Sequence, residues 1–240
     1  CEVLCLKHQP GGVTLTVSCQ GVSTQVKVYT KNSVNPGTVS LDTETQYRVN
    51  VFLSNFSEQS FEDFDIREAD YDQMIRFVWI WCKVNRQALI SRSDGEELIQ
   101  YGDMNVLLDR FFGVKYEPIN GEEFVLDAWH TFYYNKDFYH FPAGDGESYN
   151  KFTVVYDLQR SQDGSYTAYF QIYEVGLEEY WNTPGVARSY YYLNNDQVAD
   201  MVWAERVTPV QGGVATLRPY NYNGSASYQL VDYQVWDILF

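Results

Sequence analysis

Tight-turn signals in the second half of the chain restrict it to antiparallel hairpins. Asp163-Gly164 and Asn223-Gly224 each separate two segments in which apolar and polar residues alternate. Such dipeptides favour the two-residue turns whose twist matches that of paired strands, because the turn residues adopt positive φ. Further turns are expected at 135–137 and 211–213. These signals predict an antiparallel meander from residue 123 onward, interrupted at 176–197 by an irregular stretch that is either a long loop or a short helix after Asn195.

The middle of the chain is predicted to be helical. Between residues 68 and 89 there is no Gly or Pro, and apolar residues recur at helical spacing at Tyr71, Met74, Ile75, Val78 and Cys82. Trp79 and Trp81 extend the apolar surface nearly all the way round. A helix with this pattern is expected to be central and covered on several sides.

A second helix is predicted over 104–112. Asp103 is the expected N-cap, and Gly113 is expected to end the helix in the left-handed conformation. Ser93 and Asp94 are start signals for a further helical turn.

The first 55 residues have the pattern of β-strands. Apolar residues alternate with polar ones over 13–19 and 25–28, and less regularly over 47–53. The sequence therefore predicts two regions: an N-terminal β segment at 1–55 and an α+β domain at 56–240. In that α+β domain the central helices pack on a curved antiparallel sheet. The order of helices followed by a meander resembles the cone-shaped fold of nuclear transport factor 2 and its relatives.

The charge balance argues against one class of partner. The chain has 17 basic and 32 acidic residues, a formal net charge of −15. Nucleic-acid binding depends largely on Lys and Arg that neutralise phosphates, so no nucleic-acid partner is expected. The acidity fits either a cationic ligand or solubility outside the cell. The longest apolar run, at 77–82, is far short of the ~20 residues that cross a bilayer.

The cysteines suggest export. A lipoprotein signal is cleaved just before a cysteine, so Cys1 is a candidate lipid anchor and the expected membrane link. Cys1, Cys5 and Cys19 also lie close enough for one disulfide across a turn at 10–12, with the pairing open. Their spacing lacks a zinc pattern. Cys82 is expected to be an inert core residue.

Three short motifs form a familiar series. They are the helical stretch 75–85, the helix end at 106–113, and Tyr139–Pro142 followed by Asp145-Gly146-Glu147. The series resembles uncharacterised secreted proteins and lipoproteins of gut bacteria over roughly residues 65–175. The resemblance implies a location in the cell envelope or beyond, and it supplies no catalytic residue.

Candidates for acid–base chemistry are few. His130 and His140 flank the 135–137 turn and are expected on paired strands, where they could approach each other. Asp145 lies in a glycine-flanked loop that suits either cation binding or a plain turn. Hydrolase-elbow, zincin, phosphate-loop and dinucleotide-binding signatures are absent from the sequence. No metal site or cofactor is therefore predicted.

The aromatic residues favour a binding function. Rings crowd the 133–141 hairpin and the irregular stretch, and a platform is predicted from Tyr139, Tyr180, Trp181, Tyr190 and Tyr192. Tyr and Trp combine a flat apolar face with a polar tip, which suits a glycan, a peptide or an envelope protein. We expect an extracytoplasmic, non-enzymatic binding or scaffold protein of the cell envelope. The alternatives are a hydrolase or isomerase with His130, His140 and Asp145 in the mouth of a cone, and a structural envelope subunit.

Overall fold

The computed structural model describes the backbone of residues 13–19 and 22–28. It describes the chain more fully over 37–68, 70–127, 130–143, 150–176, 178, 182–183 and 186–238. The chain divides into two compact units, Cys1–Gly37 and Thr38–Phe240. Cys1, Cys5, Asp145, Tyr180 and Trp181 lie outside the described residues, as does the turn predicted at 10–12.

The N-terminal unit contains one antiparallel hairpin. Strand β1 (Val13–Cys19) pairs with β2 (Val22–Val28), with Val13 opposite Val28 and Cys19 opposite Val22. The two strands predicted from alternation in this part of the sequence are confirmed.

The second unit combines helices with two antiparallel sheets, which confirms the predicted α+β class. Its principal helices are α1 (Thr43–Ser57), α2 (Tyr71–Asn85), α3 (Tyr101–Phe112), α4 (Val186–Ser189) and α5 (Asn195–Trp203). Short 3-10 helices occupy Ile66–Glu68, Gln87–Leu89 and Tyr190–Tyr192.

The strands of this unit follow the chain in two groups. Its first strands are β3 (Gly37–Thr38), β4 (Phe64–Asp65), β5 (Ile90–Ser93), β6 (Glu96–Gln100), β7 (Glu123–Val125), β8 (Thr131–Asn135) and β9 (Phe138–Pro142). Long strands follow at β10 (Lys151–Arg160), β11 (Tyr166–Val175), β12 (Val207–Tyr222) and β13 (Ser225–Asp237). The six-stranded sheet has the order β3-β10-β11-β12-β13-β4, and the five-stranded sheet has the order β5-β6-β9-β8-β7.

An aromatic core joins the helices to both sheets. On the large sheet, the ring of Phe56 in α1 lies 6.0 Å from that of Tyr233 in β13. On the small sheet, Trp79 in α2 stacks on Phe141 in β9 at 4.8 Å and 2° between planes. Helix α2 is buried on nearly every side, from Met74 to Cys82. The prediction of a covered central helix is confirmed, and the small sheet provides part of the cover.

Several hairpins form where turn residues predicted them. Lys136 and Asp137 adopt φ of 49° and 70° between β8 and β9, and Asn223 and Gly224 adopt 52° and 82° between β12 and β13. The β10–β11 hairpin turns through 161–165. Gly113 ends α3 with φ of 70°, in the left-handed conformation that was expected.

The strand predicted over 47–53 is wrong, because this segment belongs to helix α1. The buried face of α1 includes polar residues: Gln46, Asn50, Ser54 and Ser57. Since a helical pattern is recognised by its apolar residues, polar residues on the inner face concealed the period of 3.6. Residues 43–55 therefore belong to the second unit and are helical, not part of an N-terminal β segment.

The turn predicted at 211–213 is also wrong, because β12 runs through it. A Cβ atom on Gly213 would lie 2.2 Å from the ring of Phe170, and one on Gly212 would lie 2.6 Å from the indole nitrogen of Trp236. These glycines admit large rings from neighbouring strands, so they signal close approach within a sheet. The strand expected before that turn, over Met201–Val210, begins later than its pattern predicts, because Met201–Trp203 form the end of α5.

Two predicted helix starts are displaced. Asp94 and Gly95 form the turn between β5 and β6, with φ of 52° and 82°. Ser and Asp are common at helix starts, but Asp followed by Gly also favours a hairpin turn. Here the pairing of Ser93 with Glu96 makes the segment a hairpin. Asp103 lies inside α3, whose N-cap is Gln100.

The buried polar face of α1 covers the edge of β10. The Asn50 Oδ1 atom accepts from the Val155 backbone N–H at 2.9 Å, and the Ser54 hydroxyl accepts from the Thr153 N–H at 2.9 Å. The Gln46 amide donates to the Val155 carbonyl at 2.8 Å. An open strand edge exposes backbone groups that would pair with another chain. Helix α1 satisfies these groups in place of a neighbouring strand.

A half-buried carboxyl group ends α1. Glu58 is the C-cap residue, and the Tyr191 hydroxyl donates to its side chain. Burial raises the pKa of Glu58 to about 8, although the positive charge of Arg188 acts in the opposite direction. The negative end of the helix dipole likewise disfavours a carboxylate at this position. The folded protein therefore holds a proton at Glu58 at pH values where the unfolded chain has released it.

We expect this proton to make stability depend on pH. Between the ordinary pKa of 4.5 and about 8, the folded state binds more protons than the unfolded state, so the free energy of unfolding falls as pH rises. Glu58→Gln removes the titrating group and keeps an acceptor for Tyr191. The variant should be more stable than the parent by about 4 kcal/mol at pH 8.5, with the difference vanishing near pH 4.

Urea unfolding at a series of pH values measures this difference. The exposed Glu117→Gln is the control and should follow the parent protein at every pH. A Glu58→Gln variant whose stability keeps the parent's slope between pH 4.5 and 8 would contradict the assignment.

Candidate functional site

The predicted aromatic platform is not assembled as expected. Tyr139 is fully buried, with its ring 6.0 Å from Phe124 and 5.3 Å from Tyr134. It faces inward because Tyr139 and Phe141 alternate with His140 along β9. Tyr190 is also buried, 5.2 Å from the ring of Phe152. Neither ring is available to a ligand.

Tyr192 is the one predicted platform residue in the described part of the chain that is exposed. Its side chain is 56% exposed and stacks on Tyr47 of α1, with ring centroids 4.0 Å apart. The pair is a small aromatic surface beside α1, and it lines neither of the two clefts described below.

The two histidines do not converge on one site. His130 precedes β8, and its Nδ1 lies 3.0 Å from both carboxylate oxygens of Asp127. His140 lies in β9, where its Nδ1 is 2.9 Å from Glu96 Oε2 and its ring stacks on Tyr133 at 4.5 Å. Each histidine thus has its own carboxylate, and neither lines the two clefts. The prediction that they approach each other is wrong.

His140, Glu96 and Tyr133 form a surface cluster on the small sheet. The Tyr133 hydroxyl donates to Glu96 Oε1 at 3.0 Å. The hydrogen bond with His140, together with the one from Tyr133, lowers the pKa of Glu96. The polar groups of the cluster are hydrogen-bonded to one another across the strands, since Tyr133 lies opposite His140 in the sheet.

A cleft of about 490 Å³ lies beside the start of α2. Its acidic lining comprises Glu62, Asp63, Asp70, Asp72 and Asp127, with Arg76 as the basic member. Asp70 accepts from the Gln73 N–H and Asp72 from the Val125 N–H, so both help to hold the backbone. Across the described residues, no group of three His, Cys, Asp or Glu side chains is placed to hold a metal ion.

A second cleft, of about 480 Å³, lies between α3 and the tip of the β12–β13 hairpin. We call it the tyrosine cleft. Its lining includes three tyrosines and several polar side chains: Tyr101, Asn105, Asp109, Lys115, Tyr220, Asn221 and Tyr222. Val106, which is 53% exposed, adds an apolar contact. Aromatic rings beside a few fixed polar groups are typical of small-ligand sites.

Local structure explains how these residues meet. Tyr101, Asn105 and Asp109 are spaced four residues apart, so they share one face of α3. Tyr220 and Tyr222 are two residues apart in β12 and share one face of the strand. The Asn223-Gly224 turn ends the hairpin beside them, with Tyr222 opposite Ser225.

Hydrogen bonds hold the polar groups of the tyrosine cleft. The Tyr220 hydroxyl donates to Asp109 Oδ2 at 2.6 Å, and this bond raises the pKa of Tyr220. The Asn105 side chain donates to the Tyr116 carbonyl and accepts from its N–H. Gln229 donates to the Asp109 carbonyl at 2.6 Å. These bonds orient the cleft residues before any ligand arrives, which reduces the entropy lost on binding.

The sequence prediction did not include the tyrosine cleft. A detectable signal was the polar and aromatic stripe at 101, 105 and 109, which borders the apolar face of α3. The partner residues lie more than a hundred positions away in β12. Their approach depends on α3 packing against β13. There the Gln229 side chain donates to the Asp109 carbonyl and occupies the position that a Cβ atom on Gly113 would need.

Comparison with protein-family models, with curated proteins and with solved structures finds no match to this chain. Among the described residues, no helix has the length and apolar character needed to span a membrane.

Proposed function

We propose that this chain is a non-catalytic carbohydrate-binding protein and that the tyrosine cleft is its binding site. The observation that carries the proposal is the grouping of Tyr101, Tyr220 and Tyr222 beside the carboxylate of Asp109. Sugar rings present C–H faces that pack on aromatic rings, and hydroxyl groups that bond to carboxylates. The cleft supplies both kinds of partner, with Tyr101 and Asp109 on α3 and the other two rings on β12.

The carboxyl groups of the cleft favour binding over hydrolysis. Glycoside hydrolysis uses two carboxyl groups, roughly 5–10 Å apart across the scissile bond. Asp109 is the single carboxyl group in the described lining, and the Tyr220 hydroxyl already donates to it. An anchored carboxylate is suited to accept hydrogen bonds from sugar hydroxyls.

An extracytoplasmic location in the cell envelope belongs to the same proposal. Its support is the resemblance over residues 65–175 and the formal charge of −15. A scaffold role is compatible with glycan binding, because a protein that binds envelope polysaccharide is itself held in place by that polysaccharide.

A glycan array followed by calorimetry with the best ligand tests the proposal. Tyr220→Ala removes a ring from the cleft and should weaken binding by about tenfold, as expected for a central aromatic contact. Tyr192→Ala is the matched control, since it removes an exposed ring outside the cleft, and it should leave the affinity unchanged.

The outcomes separate the alternatives. Loss of binding with Tyr192→Ala and not with Tyr220→Ala would move the site to the predicted platform near Tyr192. Binding of peptides without any glycan would overturn the ligand class. Thermal unfolding of both variants verifies that a change in affinity does not come from a change in fold.

A further inference from the structure

We infer that the tyrosine cleft selects acidic saccharides, with Lys115 pairing with a sugar carboxylate. This inference rests on the proposed function, because it specifies the ligand of the same site. It follows from the distribution of charge around the cleft, which is opposite to that of the chain as a whole.

Lys115 is the basic residue of the cleft lining, and its side chain is exposed. None of the ion pairs or hydrogen bonds within the described part of the chain involves it. An unpaired lysine beside a ring-lined cleft is free to pair with a ligand anion.

A second cation lies directly behind the cleft. The guanidinium of Arg110 contacts the rings of Trp81, Phe111 and Tyr222, with centroids 4.5–4.8 Å away. No carboxylate lies within ion-pair distance of it among the described residues. Burial lowers the pKa of Arg110, but a guanidinium stays charged in proteins.

The sum of these charges favours an anion. Arg110 lies against Tyr222, a residue of the cleft wall, so its field extends to a ligand packed on that ring. Opposed to the two cations is the single carboxylate of Asp109, whose Oδ2 atom accepts the Tyr220 hydroxyl. The lining has one cation and one anion, and Arg110 behind Tyr222 adds a second cation, so a saccharide with one carboxylate is the electrostatic complement of the site.

The orientation of the ligand follows from the same geometry. Asp109 accepts from sugar hydroxyls, and the carboxylate of the sugar must avoid it. Lys115 gives this carboxylate a partner, while the tyrosine rings bind the sugar faces regardless of charge. Neutral saccharides should bind to the same cleft more weakly.

Calorimetry with tri-galacturonate and with the matched neutral galactotriose tests the inference. The acidic trisaccharide should bind at least fivefold more tightly at low salt, and the preference should shrink at 0.5 M NaCl through screening. Lys115→Gln should reduce the affinity for tri-galacturonate by about fivefold and leave that for galactotriose unchanged. Lys136→Gln, in the β8–β9 turn, is the control and should change neither.

Two results overturn the inference. If galactotriose binds as tightly as tri-galacturonate, or if Lys115→Gln affects both trisaccharides equally, selection by charge is refuted while glycan binding stands. If neither trisaccharide binds and the glycan array is also blank, the proposed function itself fails. The two failures are thus distinguishable.

Discussion

Asn50→Leu is expected to destabilise the folded protein by about 3–5 kcal/mol. Asn50 is fully buried on α1, and its amide donates to the carbonyls of Tyr191 and Leu193 at 3.0 and 3.1 Å. Its carbonyl oxygen accepts from the Val155 N–H and from Gln46. Leucine fills the same volume and leaves three backbone groups without a partner, each at a cost of about 1–3 kcal/mol.

Thermal and urea unfolding measure the loss, which corresponds to a fall in melting temperature of roughly 6–20 °C for a domain of this size. Hydrogen exchange gives a local readout, because the Val155 amide should lose its protection. Asn195→Leu makes the same substitution at an exposed helical position and should stay within about 0.5 kcal/mol of the parent. A change of less than 1 kcal/mol in Asn50→Leu would show that the polar face of α1 is dispensable.

Glu97→Gln is the second substitution with a large expected effect, about 3 kcal/mol of destabilisation. Glu97 is only 1% exposed in β6 and accepts from the indole N–H of Trp79 at 2.9 Å. Lys83, 14% exposed, lies 3.8 Å from Glu97, and the exposed Arg92 lies 3.1 Å from it. Glutamine keeps the indole bond but removes the negative charge that faces the nearly buried ammonium of Lys83.

A double-mutant cycle separates the charge from the shape. Lys83→Met in the Glu97→Gln background removes the nearly buried positive charge as well and should restore most of the lost stability. Glu123→Gln, an exposed change on the same sheet, is the control and should be nearly neutral. Equal stability of Glu97→Gln and the parent would mean that the buried ion pair contributes nothing.

Both predictions concern how the helices are joined to the sheets, and both bear on the tyrosine cleft. The cleft is formed by α3 on one wall and by β12 on the other. Its width depends on helices that pack against α3, including α2 through the contact of Phe77 with Phe111 at 5.0 Å. A functional test of the cleft residues is therefore best made with variants whose melting temperature equals that of the parent.

Local patterns in the sequence determined the elements that depend on neighbouring residues alone. Turn residues with positive φ set the β8–β9 and β12–β13 hairpins, because few residues adopt that conformation at low cost. The Asp163-Gly164 signal predicted the hairpin of β10 and β11, which turns through 161–165. The apolar period predicted α2, and Gly113 predicted the end of α3. The α+β class follows from the order of these elements.

The tertiary structure decided the elements whose residues have distant partners. Gln46 and Asn50 are buried in α1 because they bond to β10, more than a hundred residues away. Gly212 and Gly213 continue a strand, where a local pattern indicates a turn, because rings of Phe170 and Trp236 occupy the space above them. The spacing of apolar residues predicts a helix or strand because buried residues are usually apolar. The prediction fails where polar side chains are buried to form hydrogen bonds.

The candidate site belongs to this second class. The sequence shows which residues are aromatic, but only the packing shows which rings are exposed: Tyr139 and Tyr190 lie in the core, and Tyr192 lies at the surface. The tyrosine cleft joins α3 to β12, two elements with no local relation. A strand places alternate rings on opposite faces, and the position of the other layers decides which face meets solvent. That decision is made by long-range packing, which the sequence of one strand or one helix does not contain.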